Sequence, residues 1–235
     1  MKKISIIIPA YNEEKRLPET LKKIKQFFLK NKIKNEIIVI DDGSTDNTVS
    51  IAKKQKVKIL KNNANLGKGY SVKRGFLASK GDIILFTDAD LSTPIEYLKH
   101  FINEHNSGFD VVIASRALEG SIIKVPQPFL RELSGKIFNV FVRLITWLPF
   151  SDTQCGFKSF TKEAARKIFN KLTIYGFGFD VEALYIAKKL NFKIIEYPVT
   201  WYNSNATKVN FFKDSTRMFF ELFKIRLNDL KGHYK

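Results

Sequence analysis

Five short stretches of this chain, residues 4–8, 36–40, 57–60, 83–86 and 111–114, are dominated by β-branched and other apolar side chains. A strand with one wet face alternates apolar and polar residues. A near-continuous apolar run instead predicts burial on both faces, the pattern of parallel strands covered by helices on either side. Stretches with helical spacing lie between most of the runs. Residues 17–29 put Leu17, Leu21, Ile24 and Phe28 on one face, and residues 95–104 follow Pro94, a residue favoured at a helix start. Alternating strand and helix predicts an α/β domain with a mainly parallel sheet.

At 235 residues the chain makes one large domain with a short appendix, taken as 1–207 and 208–235. Hydrophobic residues at 44% and charged residues at 27% exclude a disordered polymer. Cys155 is the single cysteine, and the three histidines, His100, His105 and His233, are scattered, so neither a disulfide framework nor a Cys/His zinc site is expected. Forty Lys+Arg against 23 Asp+Glu give a formal charge of +17, which attracts nucleic acid, anionic lipid headgroups or phosphorylated substrates. No groove-reading or base-stacking motif accompanies the charge, so nucleic acid is not an expected partner. Residues 1–9 read as a strand rather than a signal peptide, because Pro9 and a polar run follow too soon. No run of about 18 apolar residues is free of charges, so no transmembrane helix is expected.

Ligands of open parallel sheets bind beyond the carboxyl ends of the strands. Three of the runs end in polar, mostly acidic groups: Pro9-Ala10-Tyr11-Asn12-Glu13, Asp41-Asp42-Gly43-Ser44 and Thr87-Asp88-Ala89-Asp90. Side chains two apart on an extended segment share a side, so Asp88 and Asp90 can offer two carboxylates to one hard cation, as a metal–diphosphate site requires. Asp and Ser also end strands and cap helices, a reading that suits Asp42, Ser44 and Ser92.

These blocks, with Asn65-Leu66-Gly67-Lys68-Gly69, Asp152-Thr153-Gln154-Cys155-Gly156-Phe157-Lys158 and Gly178-Phe179-Asp180-Val181-Glu182, resemble the inverting glycosyltransferases of family 2, which have the GT-A fold. The ordered set is similar to the branch that holds dolichyl-phosphate glucosyltransferases and their mannosyltransferase relatives. The resemblance implies transfer of a hexose, glucose from UDP-glucose, to a polyprenyl or dolichyl phosphate with inversion. GDP-mannose as donor, or a hydroxyl acceptor, is the alternative. It places Pro9, Tyr11, Glu13 and Asp41 at the nucleotide base and ribose, and Asp88, Ala89 and Asp90 at the diphosphate with Mg²⁺ or Mn²⁺ on the two aspartates. Asp42 belongs to the same block and is expected to bond amides of its own turn. Lys68 contacts a phosphate or base, or is solvated. Asp152 and Gln154 line the site near the donor sugar, while Arg116 and Arg131 face the acceptor phosphate. Asp180 and Glu182 sit where family members keep a general base. Lys208 and Arg217 match a segment that closes on the diphosphate. Cys155 reads as a small buried side chain, since no histidine lies near it in sequence.

A lipid acceptor requires a membrane. Residues 129–148 are long enough to span one, but Arg131, Glu132, Lys136, Asn139 and Arg143 make spanning costly. The expectation is an aromatic, basic helix lying in the interface. A second such helix in 208–235 has Phe212, Phe219, Phe223, Leu227 and Leu230 as one stripe and Lys213, Arg217, Lys224 and Lys231 as another. The expected partners are an anionic membrane surface, at its cytoplasmic face, and a membrane protein. The other reading packs both helices on the sheet with ordinary basic outer faces.

Overall fold

The computed structural model describes residues 2–126, 129–203 and 211–235, with the side chains of 129–131 and 211–213 outside the description. The chain order is β1 (Ile4–Ala10), α1 (Leu17–Asn31), β2 (Asn35–Asp41), α2 (Thr48–Lys54), β3 (Lys58–Lys61), α3 (Lys68–Ala78), β4 (Ile83–Thr87) and, after a 3₁₀ turn at Ile95–Tyr97, α4 (Leu98–Asn106). Then follow β5 (Val111–Ser115), β6 (Ile122–Val125), α5 (Phe129–Thr146), β7 (Phe157–Thr161), α6 (Lys162–Lys171), α7 (Phe179–Lys189), β8 (Ile194–Pro198), β9 (Thr200–Tyr202) and α8 (Phe211–Leu230).

The main sheet has the order β3-β2-β1-β4-β7-β5-β8, and β6 pairs with β9 in a separate ribbon. All five apolar runs are strands of the main sheet. Six of its strands are parallel; β7 runs against both neighbours, β4 and β5. Alternate residues of β1 serve two cores, as the two-residue period of a strand demands. Ile4, Ile6 and Ile8 pack with Leu17, Leu21, Ile24 and Phe28 of α1 and with Phe101 of α4. Ile7 packs on the other side with Val72 and Phe76 of α3 and with Ile168 and Phe169 of α6.

The two late helices correct one expectation. They pack side by side, with the Phe141 and Phe219 rings 5.1 Å apart at their centroids. In α8, Leu222 and Ile225 are fully buried, and so are most of Glu221 and Asn228. The stripe of Phe223, Leu227 and Leu230 faces outward with Phe220. In α5, Val142 is buried while Leu133, Ile137, Val140, Leu144 and Trp147 are exposed. The outer surface of this pair is therefore apolar as well as basic, and neither helix presents an ordinary polar outer face. Among the described residues, no helix is long and apolar enough to cross a membrane.

Candidate active site

Register explains why the motif blocks meet. Ala10 of β1 lies opposite Asp41 of β2, and both strands run parallel to β4, which ends at Thr87. Because β7 is antiparallel, its beginning, Phe157, pairs with Thr87. The segment 152–156 thus lies on the same edge as three strand ends, and Asp88 N–H donates to the Gly156 carbonyl at 3.2 Å.

At the first two strand ends the loops are stitched together. Asn12 N–H donates to Ser44 Oγ (2.9 Å), Thr45 N–H to Asn12 Oδ1 (2.8 Å), and Glu13 N–H to Thr48 Oγ1 (2.7 Å). Pro9 is buried within β1, and Tyr11 is exposed at its end. Asp41 is buried; its Oδ1 accepts from Ser44 N–H at 3.3 Å, and its Oδ2 has no hydrogen-bond partner among the described residues. A buried, unsatisfied carboxylate oxygen is costly and suits an N–H donor of a bound base.

One expected contact is corrected here. Asp42 is buried and does not bond its own turn: Oδ1 accepts from Asn62 Nδ2 (2.7 Å) and Leu66 N–H (3.0 Å), and Oδ2 from Gly67 N–H (3.0 Å). Both oxygens are used, so Asp42 fixes the turn that starts α3. Only glycine fits that turn, for Gly67 has φ +103 and a Cβ there would lie 2.3 Å from the Tyr175 carbonyl oxygen. Ala89 is likewise buried, and its carbonyl accepts from Thr20 Oγ1 at 2.7 Å, so it spaces the two aspartates and anchors their loop to α1.

Asp88 and Asp90 stay partly open, with side chains 33% and 20% exposed. Each faces a cation of the chain: Lys68 Nζ is 2.7 Å from Asp88 Oδ1, and Arg16 Nη1 is 3.5 Å from Asp90 Oδ2. Lys68 opens α3 and is not solvated at large. Arg16 is held by Glu13, whose carboxylate takes Nε at 2.6 Å and also Nη2. Glu13 thereby links the first strand end to the acidic pair. Burial and the neighbouring Asp88 charge push the Asp90 carboxyl above the usual range. Two carboxylates on one loop could hold Mg²⁺ or Mn²⁺, ions that take one or two carboxylates and complete their coordination with phosphate oxygens. No cluster of three or more His, Cys, Asp or Glu side chains that could hold a metal by itself occurs among the described residues.

Arg116 follows β5, as expected, but its guanidinium is committed. Nε and Nη2 bond Asp152 at 2.6 and 2.9 Å, and the group lies over the Trp201 ring, 5.2 Å from its centroid. Burial alone would raise Asp152; Arg116 overrides it and holds the carboxyl down at about 2. Asp152 is thus the arginine's mount. Gln154 reaches Met218 of α8 through Nε2, at 3.3 Å. Cys155 is buried as expected, and burial pushes its thiol up to about 11. The Arg131 side chain and Lys208 lie outside the described residues.

Asp180, at the start of α7, is buried and takes Lys158 Nζ at 2.6 Å. Its charge reaches Lys68 and Asp88, so it adjoins the site. Glu182 does not. It is fully buried and accepts from Thr173 N–H (2.9 Å), Ile174 N–H (2.6 Å) and the Tyr234 hydroxyl (2.7 Å), a structural role that removes it as a base. Arg217 pairs with Glu221 at 3.2 Å, and Glu221 accepts from Gly178 N–H at 3.0 Å, two residues before Asp180.

Arg16, Lys158, Gly156 and Glu221 are the site residues to which sequence reasoning assigned no role. Lys158 and Gly156 stand inside a motif block, where a lysine next to Phe157 was a usable signal. Nothing local marks Arg16 or Glu221.

The family signature described as Glycosyl transferase family 2 matches residues 5–169. The dolichyl-phosphate beta-glucosyltransferase of Dictyostelium discoideum is 39% identical over 99% of this chain and 76% of its own length. The Homo sapiens protein of that name is 34% identical over 100% of this chain and 78% of its own. In fold, the chain is similar to the Mycobacterium tuberculosis glucosyl-3-phosphoglycerate synthase crystallised with Mn²⁺, UDP-glucose and phosphoglyceric acid (TM-score 0.74, 18% identity, 95% of this chain and 79% of that one). The sheet is that of the GT-A fold, and the chain belongs to glycosyl transferase family 2.

Proposed function

We propose that this enzyme transfers glucose from UDP-glucose to a polyprenyl phosphate of the dolichyl type, with inversion at the anomeric carbon. The relatives named as dolichyl-phosphate beta-glucosyltransferases, aligned over nearly the whole chain, support the sugar and the lipid. The observation that carries the acceptor chemistry is the state of Asp180. It is buried and tied to Lys158 at 2.6 Å, so it is poorly placed to remove a proton from a hydroxyl. A phosphate monoester needs no such base, since its second pKa of about 6 leaves it dianionic at neutral pH.

The reading assigns roles along the sheet edge. Asp41 Oδ2 takes an N–H of the base, and Tyr11 lies beside it. Mg²⁺ or Mn²⁺ held by Asp88 and Asp90 would supply Lewis-acid neutralisation of the diphosphate. Arg116, mounted on Asp152, meets the acceptor phosphate with Nη1. An acceptor oxygen attacks C1 of the sugar from the face opposite the diphosphate; the C1–O bond breaks, and UDP leaves with the electron pair. The exposed apolar faces of α5 and α8, with Lys136, Arg143, Lys224 and Lys231 among them, dock the enzyme peripherally on an anionic bilayer.

The test is a panel of labelled sugar nucleotides, including UDP-glucose and GDP-mannose, given to the purified chain with dolichyl phosphate in anionic vesicles. Expected is a β-linked glucosyl lipid formed from the α-linked donor, dependent on Mg²⁺ or Mn²⁺. Transfer to a free hydroxyl but not to the lipid phosphate would overturn the acceptor reading. Preference for GDP-mannose would overturn the donor.

A further inference from the structure

The two cations on the acidic pair are anchored differently. Arg16 is held at its root by Glu13, through two guanidinium nitrogens. The Lys68 ammonium has Asp88 as its ion-pair partner and the face of Phe86, 5.3 Å from the ring centroid, beside it. Its backbone is fixed, since Asp42 binds Gly67 N–H and the Tyr175 carbonyl accepts from Gly69 N–H at 2.8 Å. The flexible part is the four-carbon stem.

Gly156 lines one flank of Asp88. Its backbone lies against Oδ2 so closely that a Cβ at 156 would stand 1.9 Å from that oxygen. Lys68 occupies Oδ1 at 2.7 Å. A divalent ion and an ammonium cannot share it without strong repulsion. Lys68 also lies within the field of Asp180, but Lys158 already neutralises that carboxylate. The anion left for a displaced Lys68 is the diphosphate.

We propose that Lys68 is an exchangeable counter-ion: it fills the cation position on Asp88 in the free enzyme and passes to the donor diphosphate when a divalent ion takes Oδ1. This rests on the metal and UDP-sugar reading above. The consequence is mutual dependence, in which the ion binds weakly alone and tightly with nucleotide, and nucleotide likewise.

The test is Mn²⁺ binding to the full chain, followed by the electron paramagnetic resonance signal of free Mn²⁺, with and without UDP, in wild type, Lys68→Met and Lys68→Arg. Because the Lys68 pair is partly solvated, its loss should tighten Mn²⁺ alone only about three- to tenfold. The same substitution should weaken UDP at saturating Mn²⁺ about tenfold, and Lys68→Arg should restore both values toward wild type. A merely structural lysine would not move the two affinities in opposite directions. Unchanged or weaker Mn²⁺ binding by Lys68→Met, with the variant folded by circular dichroism, overturns the exchange and spares the metal reading. Absence of Mn²⁺ uptake by wild type even with UDP overturns both.

Discussion

Replacing Gly156 with alanine tests the acidic pair without touching a charge. Gly156 is not among the positive-φ residues, so alanine is tolerated by the backbone and the whole effect is one of contact. The new methyl would meet Asp88 Oδ2 at 1.9 Å and Cγ at 2.6 Å, about 1.5 Å inside ordinary contact for the nearer atom. The two loops cannot simply part, because Asp88 N–H is bonded to the Gly156 carbonyl. The carboxylate must swing, and with its side chain 33% exposed it can swing toward solvent. Overpacking costs about 1–3 kcal/mol in a closed core, and the open side puts this case near 1 kcal/mol. For a chain of this length that lowers Tm by about 2–4 °C. The functional effect is much larger, since a reacting or metal-binding group displaced by about 1 Å loses roughly a hundredfold in rate. Thermal unfolding, Mn²⁺ uptake with UDP, and kcat/KM for lipid glucosylation measure the three effects. Wild-type turnover in Gly156→Ala would refute the claim that Asp88 works from the position described.

Other expectations are independent of that one. His105 is buried between the Phe109 carbonyl (2.8 Å), which requires the hydrogen on Nδ1, and Ser159 Oγ (2.7 Å). Burial lowers it from 6.5 to about 4, so the neutral form stabilises the fold above pH 6.5, and about 3 kcal/mol is lost as pH falls to 4; His105→Gln should flatten that slope in urea titrations. Tyr234→Phe removes the hydroxyl from Glu182 and should cost about 1–2 kcal/mol with kcat/KM within about twofold of wild type. Joint replacement of Phe220, Phe223 and Leu227 by serine should leave Tm within about 2 °C and UDP affinity intact, yet reduce co-sedimentation with anionic vesicles at least tenfold, because each apolar side chain transferred is worth about 1.5–3 kcal/mol. Arg116→Ala should destabilise by about 3 kcal/mol, because Asp152 is left buried without its partner, whereas Arg116→Lys should keep most stability and lose acceptor use, separable by unfolding and by acceptor KM.

The parallel strands are legible because burial on both faces writes itself locally, as in Ile6-Ile7-Ile8 and Ile37-Ile38-Val39-Ile40. Their acidic ends are legible for the same reason. The strand β7 is not, since its Lys158 is buried only because Asp180 arrives from 22 residues later to neutralise it. Asp42 was assigned to its own turn, but its partners, Leu66 and Gly67, lie 24 and 25 positions on. Helical periodicity finds a stripe on α8 but not which way it faces. That is settled by Glu221, Asn228 and Tyr234, which meet partners on α7 and the loop before it. Asp88 and Asp90 could be read as a pair from their spacing; the cations that face them, Lys68 and Arg16, stand at the starts of two helices that only the fold brings near.

The helix α8 turns Glu221 and Asn228 to the protein beside Leu222 and Ile225, and Phe220, Phe223, Leu227 and Leu230 away from it. Ordinary protein engineering would therefore make the wrong repairs. A solubility screen would remove the outer phenylalanines and, on the proposed docking, yield a well-behaved protein detached from its substrate's surface. A core-filling screen would exchange Glu221 for leucine and strip Gly178 N–H of its acceptor, two residues from Asp180. In this helix the residues that look like surface support the site, and those that look like core face outward.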